Sequence, residues 1–216
     1  LNPDPSNRTT VFFSVTFSEP VTGVNAADFT LTATGITGAS IASVSGTGAT
    51  RTVAVNTGTG NGTIRLDVLD DDSIRDYLGN RLGGTGAGNG NFNGGQSYTI
   101  DKTPPTVVSS VRLNSDPNAL NTVWFSVTFS ENVTGVDAAD FALTTTGGIT
   151  GASVIGVNGT GATRTVAVST GTGSGTIRLD VADNDSILDA VGNPLGGTGA
   201  GNGDFTAGQA YTINKP

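Results

Sequence analysis

The chain has 216 residues, a formal net charge of −8 and a sequence pI near 4.2. It contains no cysteine and no histidine, which excludes disulfides, thiol chemistry and nucleophilic sites that depend on a histidine base. Because its 18 acidic residues outnumber its 10 basic ones, nucleic acid is not an expected partner. No apolar run approaches the length of a membrane span, so membrane insertion is not expected either.

The second half of the chain repeats the first. Phe13 recurs as Phe125 after 112 residues, and the spacing becomes 113 after one residue is inserted near Gly147. This period is too long for a solenoid repeat and suits an independent domain. We therefore predict two domains, residues 1–102 and residues 103–216.

Short apolar segments follow one another along each copy, starting at residues 11–18. These residues alternate apolar and polar side chains, the period of two that is typical of a half-buried strand. Asn25, and Asp137 in the second copy, predict the N-cap of a short helical turn. Gly-rich turns separate the later segments, and further strands are predicted at residues 29–32, 41–45, 51–55, 63–68 and 96–100. About seven short strands per copy, with no segment of helical period, predict an all-β fold of antiparallel β-sandwiches.

Residues 106–113 predict a strand that opens the second copy and has no counterpart in the first. The first copy is therefore expected to lack its opening strand. One explanation is that the chain is cut from a longer array of such copies. The alternative is that a neighbouring chain supplies the strand by β-augmentation, because an open sheet edge invites such pairing.

Several motifs recur in the same order in both copies: Val-Thr-Phe-Ser-Glu, Ala-Ala-Asp-Phe and a Gly-Asn pair that closes an acidic segment; Ile-Asp-Lys-Thr-Pro-Pro joins the copies. Together they resemble the bacterial Ig-like repeats of large, surface-exposed, adhesin-type proteins, whose architecture is compared with cadherin repeats. The resemblance implies Ig-like Greek-key sandwiches outside the cell, often with calcium. Their partners would be neighbouring Ig-like repeats of the same or an adjacent chain. The second copy departs from the pattern at Asn214, where the first has Asp101.

The strongest candidate site is the acidic segment at residues 70–80, repeated at residues 183–193. Both copies carry acids at relative positions 1, 3 and 7 and an asparagine at position 11. Oxygen ligands that converge from one short loop suit a hard cation, so the spacing predicts Ca²⁺. The alternative is that the same side chains cap backbone N–H groups within the loop. The predicted ligands are Asp70, Asp72, Asp76 and Asn80 in the first copy, and Asp183, Asp185, Asp189 and Asn193 in the second.

A second candidate lies at the ends of the domains, where Asp101, Glu19 and Glu131 carry carboxylates. Cadherin-like repeats use acidic residues at such junctions to stiffen them, so the resemblance makes these residues further candidates for calcium. The alternative is that these are solvated surface carboxylates.

The predicted function is structural and not enzymatic, because the candidate acids crowd into one loop and recur in copies that look like building units. We expect a structural or adhesive repeat module of an extracellular bacterial surface or filament protein, stiffened by calcium. One alternative is a carbohydrate-binding or cell-adhesion module with its own glycan or cell-surface ligand. The other is a filament subunit that assembles by β-strand donation between chains.

Overall fold

The structure, a computed structural model, describes residues 2–216 and divides the chain into two compact units, Leu1–Lys102 and Thr103–Pro216. In the described residues, both units consist of β-strands, loops and a three-residue 3₁₀ turn. No helix among residues 2–216 is long and apolar enough to cross a membrane.

The strands of the first unit follow the alternating segments of the sequence. They are β1 (Thr10–Thr16), β2 (Val21–Thr22), β3 (Phe29–Thr34), β4 (Ser40–Ser45), β5 (Thr50–Asn56), β6 (Gly62–Val68), β7 (Arg75–Asp76) and β8 (Ser97–Ile100). The strands of the second unit are β9 (Val107–Arg112), β10 (Thr122–Phe129), β11 (Phe141–Gly147), β12 (Ser153–Asn158), β13 (Thr163–Ser169), β14 (Gly175–Val181) and β15 (Ala210–Ile213).

Each unit pairs its long strands in two antiparallel sheets that enclose a single core. In the first unit the sheets have the orders β1-β5-β4 and β3-β6-β8, and the short strands β2 and β7 pair with each other. In the second unit the orders are β12-β13-β10-β9 and β11-β14-β15. Because side chains alternate between the faces of a strand, each sheet turns one apolar face inward. The predicted all-β fold of two tandem Ig-like β-sandwiches is confirmed.

The core of each unit is contributed by both of its sheets. In the first unit, Val53 and Val55 of β5 meet Ile64 and Leu66 of β6 in one buried cluster. The second unit has an equivalent cluster around Phe125 and Leu179. In both units an edge-on aromatic pair links the sheets; the ring centroids are 5.1 Å apart for Phe13 and Tyr98, and 5.0 Å apart for Phe125 and Tyr211.

The two units differ at one sheet edge, as the sequence predicts. In the second unit β9 pairs with β10 through a register that runs from Phe125 opposite Arg112 to Phe129 opposite Val107. In the first unit β1 pairs only with β5 among the described residues, so its other edge is open. Within residues 2–102 there is therefore no counterpart of β9, the strand that opens the second copy.

The predicted caps are also confirmed. Asn25 caps the 3₁₀ turn Ala26–Asp28, and its side chain accepts a hydrogen bond from the backbone N–H of Ala27 at 2.8 Å. Asp137 does the same for Ala138–Asp140. These turns lead directly into β3 and β11 and bring a buried aspartate to the end of each sandwich.

Candidate functional site

A buried aspartate of the 3₁₀ turn holds each acidic loop in place. Asp28 is fully buried; one of its oxygens accepts the N–H of Asn25 at 2.6 Å and the other accepts the hydroxyl of Ser73 at 2.7 Å. In the second unit Asp140 accepts the equivalent hydrogen bonds, including one from Ser186 at 2.7 Å. Each loop is therefore tied to the 3₁₀ turn that leads into β3 or β11 by a carboxylate that solvent does not reach.

The first predicted ligand of each loop is buried and bonded to the backbone. Asp70 accepts the N–H of Asp72 at 3.0 Å on one oxygen and the N–H of Gly90 at 3.0 Å on the other. Asp183 accepts the N–H of Asp185 at 3.0 Å and that of Gly203 at 3.1 Å. Both carboxylates thus join the acidic loop to the Gly-rich loop that follows it.

The second predicted ligand has the most unusual backbone. Asp72 and Asp185 adopt φ values of 68° and 65°, in the left-handed region that aspartate tolerates better than most residues. This conformation turns each carboxylate toward the next loop, where Asp185 accepts the N–H of Gly199 at 3.1 and 2.9 Å on its two oxygens. Asp72 makes the equivalent bonds and also an ion pair with Arg81 at 2.6 Å.

The third and fourth predicted ligands bond to each other. Asp76 accepts the backbone N–H of Asn80 at 2.8 Å and its side-chain amide at 2.7 Å, and the side-chain hydrogen bond lowers the pKa of Asp76. Asp189 is buried and bonds to Asn193 in the same way, at 2.8 Å from both the backbone and the side chain. The Asp189 oxygen that accepts the backbone N–H of Asn193 also accepts the N–H of Val191 and that of Gly192.

The acids of both loops therefore accept backbone N–H groups, as the capping alternative predicts. Calcium bound at these loops stays a prediction. Within either unit of the described chain, no three acidic side chains bring oxygens within 4.8 Å of one another. One pair does come close: a carboxylate oxygen of Glu131 lies within 4.8 Å of one of Asp189. Since calcium–oxygen bonds are about 2.3–2.6 Å long, this separation is one that a single calcium ion spans.

The two remaining predicted carboxylates, Asp101 and Glu19, lie in different parts of the first unit. Asp101 follows β8; its N–H donates to the carbonyl of Ser6 at 3.0 Å, and its carboxylate accepts the side-chain amide of Asn61 at 3.0 Å. Glu19 lies in the exposed turn between β1 and β2. The prediction that these acids hold calcium at the junction stays a prediction.

The sequence interpretation missed the roles of Asp28 and Asp140. The pattern Asn25-x-x-Asp28, and its counterpart from Asp137, is a capping-box spacing with aspartate in place of glutamate. That spacing would have indicated the hydrogen bond to the cap residue. The bond from Ser73, 45 residues away along the chain, follows only from the pairing of the strands.

No family model matches the chain, and no curated protein matches it. Among solved structures, the chain is similar to one described as FdeC, a novel broadly conserved Escherichia coli adhesin eliciting protection against urinary tract infections. The identity is 17% and the TM-score is 0.38, over 99% of this chain and 62% of that one, so the chain spans less than two thirds of it. At this identity and TM-score the similarity identifies neither a family nor a function.

Proposed function

We propose that this chain is a non-catalytic structural module of an extracellular bacterial surface or filament protein. One observation carries the proposal: both units use the same acids, at nearly the same distances, to bond their own backbone. Asp70 and Asp183 each receive two backbone N–H groups, and Asp28 and Asp140 each receive one N–H and one hydroxyl. Acids engaged in this way stiffen loops, whereas a catalytic acid needs a reactive group within its reach.

The mechanical consequence is that each unit resists extension as one body. Its long strands are paired in antiparallel sheets around one buried cluster, so they unfold cooperatively. Pulling single molecules of the full chain from both ends tests this. We expect two separate unfolding events, each releasing a chain of about 100 residues, or about 350 Å. A gradual extension without discrete events would overturn the structural role.

Calcium stiffening belongs to the same proposal, and the Glu131–Asp189 pair is the place that best suits the ion. Two carboxylates this close repel each other unless a positive charge lies between them. Asp189 already accepts four N–H groups, which fix the direction of its carboxylate. The ion would be bound by Glu131 and Asp189 and would supply the compensating charge.

Thermal unfolding of the full chain tests the calcium site. Calcium at a hundred times its dissociation constant stabilises the folded state by about 2.7 kcal/mol, so the Tm of the second unit should rise by several degrees and EDTA should reverse the rise. Glu131→Gln should abolish the rise, whereas the matched variant Glu19→Gln in the first unit should retain it. If the unfolding curves with calcium and with EDTA coincide, calcium is removed from the proposal and the structural role remains.

A further inference from the structure

Five asparagines of the chain are followed directly by a glycine. They are Asn61, Asn89, Asn93, Asn158 and Asn202. In such a pair the backbone nitrogen of the glycine can attack the Cγ atom of the asparagine side chain, because glycine has no Cβ to obstruct the approach and its backbone is the least restricted. The five pairs share this intrinsic reactivity, so the structure around each pair decides how fast it reacts.

The reaction, deamidation, converts the side-chain amide into a carboxylate. The glycine nitrogen gives up its proton and forms a bond to Cγ, the Cγ–N bond of the side-chain amide breaks, and ammonia leaves. Water then opens the succinimide ring at either of its carbonyl groups, which gives aspartate or isoaspartate. The reaction therefore needs a glycine N–H that can lose its proton and an asparagine side chain that can turn toward it.

Two of the pairs are blocked at the glycine nitrogen by the acidic loops. In the pair 89–90 the glycine N–H donates to the carboxylate of Asp70 at 3.0 Å. In the pair 202–203 the glycine N–H donates to the carboxylate of Asp183 at 3.1 Å. Both aspartates are buried. A nitrogen in this position faces a negative charge, which opposes the loss of its proton, and its hydrogen bond holds it at the aspartate.

A third pair is blocked at the asparagine side chain. The amide nitrogen of Asn61 donates to the carboxylate of Asp101 at 3.0 Å, and its amide oxygen accepts the backbone N–H of Lys102 at 2.7 Å. The glycine of this pair, Gly62, belongs to β6 and lies opposite Ile100 of β8. Turning the amide toward the glycine nitrogen would break both side-chain hydrogen bonds, so this pair is also held apart.

The pair Asn93–Gly94 meets neither restraint. It lies in an irregular segment between β8 and Phe92, whose backbone bonds that of Val68 at 2.8 and 3.0 Å. Both residues of the pair are exposed. Among the hydrogen bonds of residues 2–216, none engages the side chain of Asn93 or the N–H of Gly94.

The second unit supplies a matched comparison for this pair. The equivalent residues there are Thr206 and Ala207, which have no side-chain amide to lose. They are exposed as well, although β9 is present in that unit. The exposure of Asn93 is therefore a property of the segment itself and does not depend on how the neighbouring sheet edge is covered.

The pair Asn158–Gly159 is an intermediate case. Its asparagine is exposed, and no hydrogen bond within the described part of the chain engages that side chain or the N–H of Gly159. Its backbone, however, is fixed at the end of β12, where Asn158 lies opposite Thr165 of β13. Ring closure requires the main chain to leave this extended conformation, so the reaction should be slower here than at Asn93.

We propose that Asn93 is a modification site, at which this chain deamidates spontaneously to aspartate and isoaspartate. Asp70 and Asp183 protect Asn89 and Asn202 from the same reaction. Each event at Asn93 adds a negative charge to a chain whose net charge is already −8, and isoaspartate also lengthens the main chain in the segment that leads into β8. This goes beyond the proposed structural function, because it gives the first acid of each loop a role in chemical durability.

Incubation of the full chain in mildly alkaline buffer, followed by peptide mapping with mass spectrometry, measures the rate at each of the five asparagines. Deamidation at Asn93 should be about 10-fold or more faster than at Asn89 and Asn202, because a charge-assisted hydrogen bond must break before either of these can react. The rate at Asn158 should lie between them, and isoaspartate should accumulate at Asn93.

The same chain in denaturant is the reference for the intrinsic reactivity. There the five rates should approach one another, because every pair has the same two residues and no tertiary contact. Equal rates at Asn93 and Asn89 in the folded protein, or rates that differ as much in denaturant as in the folded state, would overturn the proposal. This comparison needs no variant, so it does not depend on how well any variant folds.

Two variants test the protective role of the aspartates. Asp70→Ala frees the N–H of Gly90 and should raise the rate at Asn89 about 10-fold, while the rate at Asn202 in the other unit stays unchanged. Asp28→Ala is the matched control, since it removes another buried carboxylate that holds the same loop and leaves Asp70 in place. An equal rise in both variants would show that loop opening, and not the hydrogen bond, controls the rate. A lower rate in Asp70→Ala would show that the carboxylate promotes the reaction by taking the proton. Either result would overturn the protective role.

Discussion

The two units are nearly the same sandwich, once with its opening strand and once without it. With β9 in place, Phe125, Val127 and Phe129 are buried; without an equivalent strand, Phe13, Val15 and Phe17 remain half-buried. The sheets, the aromatic pair and the loop hydrogen bonds are otherwise maintained in the first unit. The comparison teaches that β9 completes the burial of one edge of the core in the second unit, while the other strands are arranged in the same order in both units.

The acidic loops of the two units also differ at one position. Asp72 has an arginine partner, Arg81, whereas Pro194 occupies the equivalent position in the second unit and Asp185 has backbone donors alone among the described bonds. The φ values of the two aspartates still agree within a few degrees. The backbone bonds to the following Gly-rich loop are therefore sufficient for this conformation, and the ion pair is an addition to it.

The largest predicted difference is in the core at the sheet edge. Phe125→Ala should destabilise the second unit by about 3–5 kcal/mol, because a fully buried ring is replaced by a cavity. Phe13→Ala should cost the first unit only about 1–2 kcal/mol, since part of that ring is already exposed. Urea unfolding followed by Trp124 fluorescence reports the second unit, and native-state hydrogen exchange reports the first. Equal costs in the two units would mean that the edge beside Phe13 is covered in solution.

The next effect should be equal in the two units. Asp28→Ala and Asp140→Ala each leave a backbone N–H, that of Asn25 or Asp137, and a serine hydroxyl without this acceptor, at a cost of about 2–3 kcal/mol. Asp→Asn at the same positions keeps one acceptor and should cost less. The same two probes measure the loss in each unit. If the loss of stability is much larger for one of the two aspartates, Asp28 and Asp140 do not support their loops equally, although their hydrogen-bond distances agree.

The sequence was sufficient to predict the strands but not their pairing. The alternation of residues such as Val11 and Phe13 is a local signal, and the missing strand follows from comparing the two copies. The pairing of β1 with β5 and of β3 with β6 depends on contacts far apart in the chain. The two-residue strands β2 and β7 are too short for any periodicity to reveal.

In the candidate loops, too, the sequence predicts the local clustering of the acids but not the contacts that they make with distant residues. The spacing of Asp70, Asp72 and Asp76 predicted that the acids cluster, and either calcium or capping was compatible with it. The direction of each carboxylate depends on the left-handed backbone at Asp72 and on the position of Gly90, 20 residues further along the chain. Neither is encoded in the spacing of the acids, so the sequence alone left both interpretations open.

A smaller effect is expected from the ion pair of the first loop. Arg81→Ala should destabilise the first unit by at most about 1 kcal/mol, because both partners are partly exposed and solvent screens them. The loss should shrink further in 1 M NaCl. Arg75→Ala is the matched control, since among the described bonds the side chain of Arg75 donates to the carbonyl of Gly79 alone, at 3.2 Å, and its removal should be nearly neutral. A salt-independent loss at Arg81 would show that packing of its side chain, and not its charge, supports the loop.

The smallest effect is a pH dependence at Asp67. The side chain of Arg65 donates to Asp67 at 2.6 Å, and this hydrogen bond lowers the pKa of the aspartate. Because the folded pKa lies below the unfolded value near 3.9, the stabilisation is fully present above about pH 4 and is lost as the pH falls through the folded pKa. Asp67→Asn should therefore lower the stability of the first unit at pH 7, and its deficit should narrow as the medium is acidified. The free energy of opening of β6 amides, measured by native-state hydrogen exchange for both proteins between pH 7 and pH 3, gives that deficit directly. A deficit that stays constant over this range would show that the charge of Asp67 contributes nothing and that its contact with Thr32 accounts for the loss.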